Sequence, residues 1–233
     1  MLSRLLALLL SAAITLPSVS GTIPCWLSFD EQDEVYARVD TEEKIIALTF
    51  DDGPHPYLTE QILDILDQFG IKATFFVVGK MCESYPYALK NIALRGHEIG
   101  NHTFTHMTET PSNAEMLKNE ILKTEETVFS LTAKKTFLFR PPTGYCCAEA
   151  VKMTKELGYK TIVWDIDTRD WTSCSAESIL SEIKKNARSG SIILFHDFIG
   201  KSSPTPKALK LVLPWLISQG YTFVTVGEML SIK

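Results

Sequence analysis

Five short apolar runs in this chain, each with the length of a β-strand, hand over at their C-terminal end to an acidic or basic residue. Ile45 to Phe50 leads into Asp51 and Asp52, Glu98 to Asn101 into His102, and Thr136 to Phe139 into Arg140. Thr161 to Trp164 leads into Asp165, and Ser191 to Phe195 into His196 and Asp197. Charges that only solvate a surface fall at both ends of strands. Where parallel strands alternate with helices, residues just past the strand C-termini share one face, so the pattern predicts a chemical site at one edge of a parallel sheet.

The segments between these runs have helical spacing. Leu58, Ile62, Ile65, Leu66 and Phe69 form one apolar stripe, with Gly70 behind it as a C-terminal cap. Ala73 to Val78 reads as a further strand, Tyr87 to Arg95 as a helix ended by Gly96, and Ser112 with Glu115 as a capping box before Leu117, Ile121 and Val128. Helices also fit Glu149 to Leu157, Ala176 to Ala187, and Leu209 to Ile217, where Pro214 is expected to kink or restart the helix. Thr222 to Val226 reads as the last strand. About seven strand-helix units favour an α/β fold closed into a parallel (β/α) barrel, with a doubly wound open sheet as the alternative.

A chain of 233 residues, 45% hydrophobic and 22% charged, suits one globular domain. Its formal net charge of -5 gives no electrostatic reason to expect a nucleic-acid partner, since such domains usually carry a basic stripe. Met1 to Ser20 has the make-up of a signal peptide, with Arg4, an apolar stretch from Leu5 to Ile14, and small residues around a cleavage point near Ser20-Gly21. That stretch is shorter than the ~20 residues of a membrane span. Residues 21–43 form an acidic lead-in. The expectation is a monomer, secreted or held in the cell envelope or periplasm, without an integral span once the signal is removed; an uncleaved anchor is the alternative. Of five cysteines, Cys146 or Cys147 could bridge Cys174 in an oxidising compartment, whereas a reducing one would leave free thiols.

His102 and His106 stand at i, i+4, a spacing that puts two imidazoles on one side of a turn. With a carboxylate from another strand end they make a metal site that leaves a coordination position for water. Asp51 and Asp52 are adjacent, so an extended backbone sends them to opposite sides and gives them different tasks. Asp-Gly-Pro is also plain turn chemistry. His196 suits a general acid, for which Asp170 is the candidate orienting carboxylate, and Arg140 can hold a carboxylate base in a bidentate pair. Structural salt bridges at the rim are the alternative for Arg140 and Asp170. His55 is assigned to the loop after Asp-Gly-Pro, His97 to a turn, and Trp164 to the core.

Together these residues carry a resemblance. Thr49-Phe50-Asp51-Asp52-Gly53-Pro54, His102-Thr103-Phe104-Thr105-His106, Arg140-Pro141-Pro142-Thr143-Gly144, Asp167-Thr168-Arg169-Asp170-Trp171 and Leu194-Phe195-His196 resemble, in order, the five motifs of the polysaccharide deacetylase family, carbohydrate esterase family 4. The likeness runs from about Lys44 to Met229, within an expected catalytic domain at 44–233. It implies a distorted (β/α) barrel and metal-dependent removal of acetyl groups from an N-acetylated polysaccharide or oligosaccharide. It further implies that Asp52, His102 and His106 hold one divalent ion, commonly zinc, that Asp51 is the base, and that His196 is the acid. Arg140 would steady Asp51, Asp170 would tune His196, the Thr143 backbone N–H would meet an oxyanion, and Trp171 and Leu194 would line the acetyl groove. The family often has an aromatic residue at the position of Thr143, so the substrate wall differs there. Peptidoglycan, chitin and chitooligosaccharides all fit. An O-acetyl xylan esterase on the same machinery and a catalytically silent sugar-binding module are the competing readings.

Overall fold

The computed structural model describes residues 34–108, 113–145, 147–172, 174–198 and 202–232. The expected signal peptide, Cys25, Ser112 and Cys146 lie outside the described residues. The strands are β1 (Val35–Tyr36), β2 (Ile45–Asp51), β3 (Thr74–Val77), β4 (Glu98–Asn101), β5 (Leu138–Phe139), β6 (Lys160–Ile162), β7 (Ile166–Asp167), β8 (Ser191–His196) and β9 (Thr222–Phe223). The helices are α1 (Leu58–Gln68), α2 (Gly79–Ser84), α3 (Pro86–Leu94), α4 (Ala114–Thr132), α5 (Ala148–Glu156), α6 (Ala176–Asn186), α7 (Thr205–Ser218) and α8 (Val226–Ser231).

Paired strands run parallel in the order β1-β6-β5-β4-β3-β2-β8-β7, with β9 added to β2. Only three residues separate β6 from β7, yet β6 pairs with β5 towards one end of this order while β7 pairs with β8 at the other. Residues 160–167 therefore run as one bent strand that serves both edges. This continuity curls the sheet into the expected distorted barrel, and an open doubly wound sheet is ruled out.

The pleat of β2 sorts its side chains. Ile46, Leu48 and Phe50 face the helices, where Phe50 stacks on Phe75 and Phe195 at 4.9 and 5.6 Å among side chains of α1 and α7. Ala47 points the other way, to an inner cluster with Phe76, Leu138, Ile162 and Ile192. By the same alternation Thr49 and Asp51 follow Ala47 to the inside. At the strand N-termini α8 closes the barrel: Val226 and Met229 join the inner cluster, the Val226 N–H donates to Thr74 Oγ1 at 2.9 Å, and the Gly227 N–H donates to Glu98 Oε2 at 3.0 Å. The C-terminal edge of the strands stays open, and a pocket lies there.

Several expectations need correction. Helix α7 is unbroken across Pro214, because Leu209, Val212, Leu213 and Leu216 are fully buried and hold it against the sheet. The last strand stops at Phe223 because Thr225 caps α8 in a box with Glu228. Phe69 is the C-cap of α1 and half-exposed, not part of the buried stripe. Asp165 is not at the active edge. The strand continues past it to Asp167, and its carboxylate accepts from Ile192 N at 3.0 Å, Ser191 Oγ at 3.0 Å and Arg188 Nε at 3.2 Å, at the N-terminal end of β8. Among the described residues Cys82 and Cys174 carry free thiols, so the expected bridge to Cys174 is not formed there.

Candidate active site

Asp51 ends β2 on the inner face and is 3% exposed. Its Oδ1 accepts from Arg140 Nη1 at 2.7 Å. The pair is monodentate, not the expected bidentate one, because the fully buried guanidinium spreads its donors. Nη1 also reaches Thr49 Oγ1 at 2.7 Å, Nε the Ile162 carbonyl at 3.2 Å and Nη2 the Val163 carbonyl at 3.0 Å. The guanidinium also lies 4.1 Å from the Phe76 ring centroid. Asp51 Oδ2 is left facing the site, 3.8 Å from His102 Nε2.

Asp52 adopts a left-handed backbone (φ 77°), which turns its carboxylate away from the course of the strand. Behind it the Gly53 N–H donates to Asp197 Oδ1 at 2.9 Å, and Thr59 Oγ1 donates to Asp197 Oδ2 at 2.5 Å. A Cβ on Gly53 would collide with the Asp197 carboxylate, which explains the glycine. Burial raises the Asp197 pKa to about 7, opposed by the hydroxyl of Thr59.

His102 and His106 sit on a loop in which Thr103 (φ 65°) and His106 (φ 60°) are both left-handed. For such residues that conformation is costly, so the loop needs outside support. Glu120 of α4 supplies it: Oε2 accepts from Phe104 N at 2.9 Å, Thr105 N at 2.6 Å and Thr105 Oγ1 at 3.0 Å. Asn101 Oδ1 accepts from Thr103 N at 3.0 Å. His102 Nδ1 lies 2.7 Å from the Arg140 carbonyl, an acceptor only, so Nδ1 carries the proton and Nε2 presents a lone pair. That Nε2 is 3.4 Å from Asp52 Oδ1, and His106 Nε2 is 3.1 Å from the same oxygen. Asp52 Oδ1 is itself buried without a hydrogen-bond partner. One ligand atom from each of the three residues lies within 4.8 Å of the others. Burial raises the Asp52 pKa, but the two imidazoles outweigh it and hold the carboxyl well below the usual range.

Across the site His196 Nδ1 lies 2.7 Å from Asp170 Oδ1. Asp170 is fully buried, and its Oδ2 also accepts from His196 N at 2.9 Å and Thr205 Oγ1 at 2.5 Å. Burial works against a charged imidazole here, but the Asp170 hydrogen bond and the nearby carboxylates prevail and lift the His196 pKa to about 9.

Asp51, Asp52, His102, His106, Thr143, Trp171, Leu194 and His196 line one pocket of about 390 Å³, with Arg140 and Asp170 buried behind it. All ten residues singled out in the sequence therefore converge. Trp164 and Asp167 line the same pocket; Trp164 reaches it from the bent strand and is not wholly core. Thr143 is left-handed (φ 64°) in a short turn, Pro142–Gly144, packed under Trp164. His55 is a loop residue whose Nδ1 accepts from Leu58 N at 3.1 Å, and His97 lies away from the site with its ring edge against Phe75. Glu120, Asp197, Thr49 and Thr205 were not found from sequence. Asp197 was visible beside His196 and Thr49 inside the first motif, but Glu120 and Thr205 carry no local signal.

The profile of polysaccharide deacetylases matches residues 38–162. The chain belongs to the polysaccharide deacetylase family. It is 46% identical over 198 residues to a peptidoglycan-N-acetylglucosamine deacetylase of Bacillus cereus, covering 84% of this chain and 92% of that one. Among solved structures, the Bc1960 peptidoglycan N-acetylglucosamine deacetylase superposes with a TM-score of 0.80 at 34% identity over 88% of this chain and 94% of that one. BA3943 from Bacillus anthracis, described as a pseudoenzyme of carbohydrate esterase family 4, superposes with a TM-score of 0.79 at 28% identity, covering 84% and 68%. The family and the barrel expected from the motifs are thus established.

Proposed function

We propose that this deacetylase-family chain removes N-acetyl groups from N-acetylglucosamine-containing glycans such as peptidoglycan or chitooligosaccharides, with one divalent ion bound by Asp52, His102 and His106. One observation carries the reading. At Asp52 Oδ1 a carboxylate oxygen faces the lone pair of His102 Nε2 at 3.4 Å, with His106 Nε2 at 3.1 Å, and has no hydrogen bond of its own. A carboxylate oxygen and two ring nitrogens that converge within 4.8 Å of one another, with the oxygen left without a hydrogen bond, form a ligand set that one cation can share. Two imidazoles and one carboxylate suit zinc. The His102 Nδ1–H bond to the Arg140 carbonyl is the outer contact that orients a ligand imidazole.

When bound, the ion supplies Lewis acidity to the amide carbonyl and to an attacking water. The chain's own groups divide the proton traffic. Asp51, with Oδ1 engaged by Arg140, accepts the water's proton at Oδ2. His196 donates Nδ1–H to Asp170 and carries a proton at Nε2 at neutral pH, so it protonates the departing sugar nitrogen. The Thr143 N–H is the candidate donor to the developing oxyanion, and Trp171 with Leu194 gives the acetyl methyl an apolar wall. In this reading residues 1–20 are a secretion signal, 44–233 the catalytic domain, and the enzyme works outside the cytoplasm as a monomer. Among the described residues no helix is long and apolar enough to cross a membrane.

BA3943 makes the silent module a real competitor, since a pseudoenzyme keeps this barrel. Here the base and acid positions both hold competent groups with their partners in place. Acetate release from chitotetraose decides the matter: the expected result is release that stops on chelation and returns with zinc, and a silent module releases none at any metal concentration. Acetylxylan in parallel separates an O-acetyl esterase.

Glu120 gives a second test. Glu120→Ala frees the three donors of the histidine loop and is expected to lower metal affinity by about 10- to 100-fold in competition with a chromogenic chelator. An affinity equal to that of the unsubstituted chain would remove Glu120 from the positioning role.

A further inference from the structure

Among the described residues Asp170 receives three hydrogen bonds, and two of them come from His196 itself, through its backbone N–H on Oδ2 at 2.9 Å and Nδ1 on Oδ1 at 2.7 Å. A carboxylate bonded only to its own imidazole can swing together with it. The third bond comes from another element. Thr205 Oγ1 donates to Asp170 Oδ2 at 2.5 Å, and Thr205 is the first residue of α7.

Each hydrogen in this group has one place to go. The Asp170 carboxylate only accepts, so the Thr205 hydroxyl turns its hydrogen to Oδ2 and its lone pair accepts from Ser203 Oγ at 2.9 Å. Ser203 Oγ accepts in turn from the Thr205 N–H at 3.2 Å. A hydroxyl engaged on both sides does not rotate. Pro204 and Pro206 flank Thr205 and fix the backbone φ on either side of it. Behind it Ala208, Leu209, Val212, Leu213 and Leu216 of α7 are fully buried, so the hydroxyl is anchored to the core.

The backbone that presents Asp170 is held separately. Arg169 is left-handed (φ 54°), a costly conformation supported by Asp167 Oδ1, which accepts from Arg169 N at 2.8 Å. Thr172 closes the turn, donating to the Arg169 carbonyl from N at 2.9 Å and Oγ1 at 2.8 Å. Such a turn fixes where the side chain starts. It does not fix the plane of the carboxylate. Asp170 and Thr205 are both fully buried and outside the lining of the reacting pocket, so Thr205 can act on the reaction only through Asp170 and His196.

We propose that Thr205 is a positioning residue of the acid: from α7 it holds the Asp170 carboxylate plane, so that Oδ1 stays on His196 Nδ1 and Nε2 stays aimed at the departing nitrogen. The proposal rests on the deacetylase reading above. It separates substrates by their leaving groups. When an amide is cleaved, the C–N electron pair goes to nitrogen, which takes the proton of His196 Nε2 and leaves as an amine. When p-nitrophenyl acetate is cleaved, the C–O pair stays on oxygen and nitrophenolate leaves as the anion. Only the first needs an aimed acid.

The test is the kinetics of Thr205→Val, which replaces the hydroxyl by a methyl of similar size, on the zinc-loaded chain. Expected is a kcat on chitotetraose about 10-fold lower, a part of what a positioned acid contributes, with KM within about twofold. Hydrolysis of p-nitrophenyl acetate should stay within about twofold, and Thr205→Ser, which restores the hydroxyl, should recover kcat on chitotetraose. Equal losses on the two substrates would make Thr205 a support of the whole site, and no loss on chitotetraose would remove it from the reaction; either overturns the proposal. If Thr205→Val does not fold, Thr205→Ala against Thr205→Ser, which differ by the hydroxyl alone, gives the same comparison. His196→Ala tests the underlying assignment separately, since full kcat on chitotetraose there would mean that His196 is not the acid. If the unsubstituted chain releases no acetate from chitotetraose, the deacetylase reading falls and proton NMR decides the positioning. The His196 Nδ1–H resonance, identified by its absence from His196→Ala, should be protected from exchange with water in the unsubstituted chain and in Thr205→Ser but not in Thr205→Val. Equal protection in Thr205→Val overturns the proposal.

Discussion

Asp51→Asn is expected to retain the divalent ion and to lose deacetylation by about 10²- to 10⁴-fold, the contribution of a positioned general base. The asparagine oxygen can still accept from Arg140 at the place of Oδ1, so the buried guanidinium keeps a partner. What disappears is the proton-accepting oxygen that faces the site. Asp52, His102 and His106 keep their positions, because Asp52 is set by Asp197 through Gly53 and the histidines by Arg140, Asn101 and Glu120. Metal content by atomic absorption, read beside acetate release, separates the two functions of the adjacent acids. Full turnover by Asp51→Asn would mean that the division of labour is wrong, and loss of the metal would mean that Asp51 belongs among the ligands.

Arg140→Met is expected to destabilise the fold by about 3–5 kcal/mol, as when one partner of a buried ion pair is removed. Methionine fills much of the volume and keeps contact with Phe76. It leaves Asp51 as a buried carboxylate without its cation, and it strips donors from the Ile162 and Val163 carbonyls and from Thr49 Oγ1. Those two carbonyls lie at and just past the end of β6, where the chain bends towards β7, so the loss falls on the stretch that curls the sheet. Urea denaturation measures the effect. Adding Asp51→Asn to Arg140→Met removes the stranded charge and should recover part of it in a double-mutant cycle. A single-variant loss below about 1 kcal/mol, the scale of an exposed pair, would show that the guanidinium is not the organising centre of this edge.

The motif residues were legible because strand and turn chemistry is local. A period of two in β2 sends Asp51 inward and leaves Asp52 to the turn whatever lies around them, and i, i+4 spacing puts His102 and His106 on one side of a loop. The same locality misplaced Asp165. An acidic residue after four apolar ones looks like a strand end, but the strand bends and continues, and register with β8 puts that carboxylate at the opposite edge. Pro214 misled in a similar way, since burial of its neighbours outweighs the missing hydrogen bond. Glu120 and Thr205 act on residues 15 and 35 positions away, and nothing in their own neighbourhood marks them.

From sequence alone come the alternation of strand and helix, the family, and the identity of the ten side chains gathered at one edge, because each depends on short-range periodicity or on ordered motifs. Tertiary structure decided how the sheet curls, which ring nitrogens meet at Asp52, and what braces the histidine loop. Those facts are contacts between segments far apart in the chain, and such contacts exist only once packing has set the register of one strand against the next.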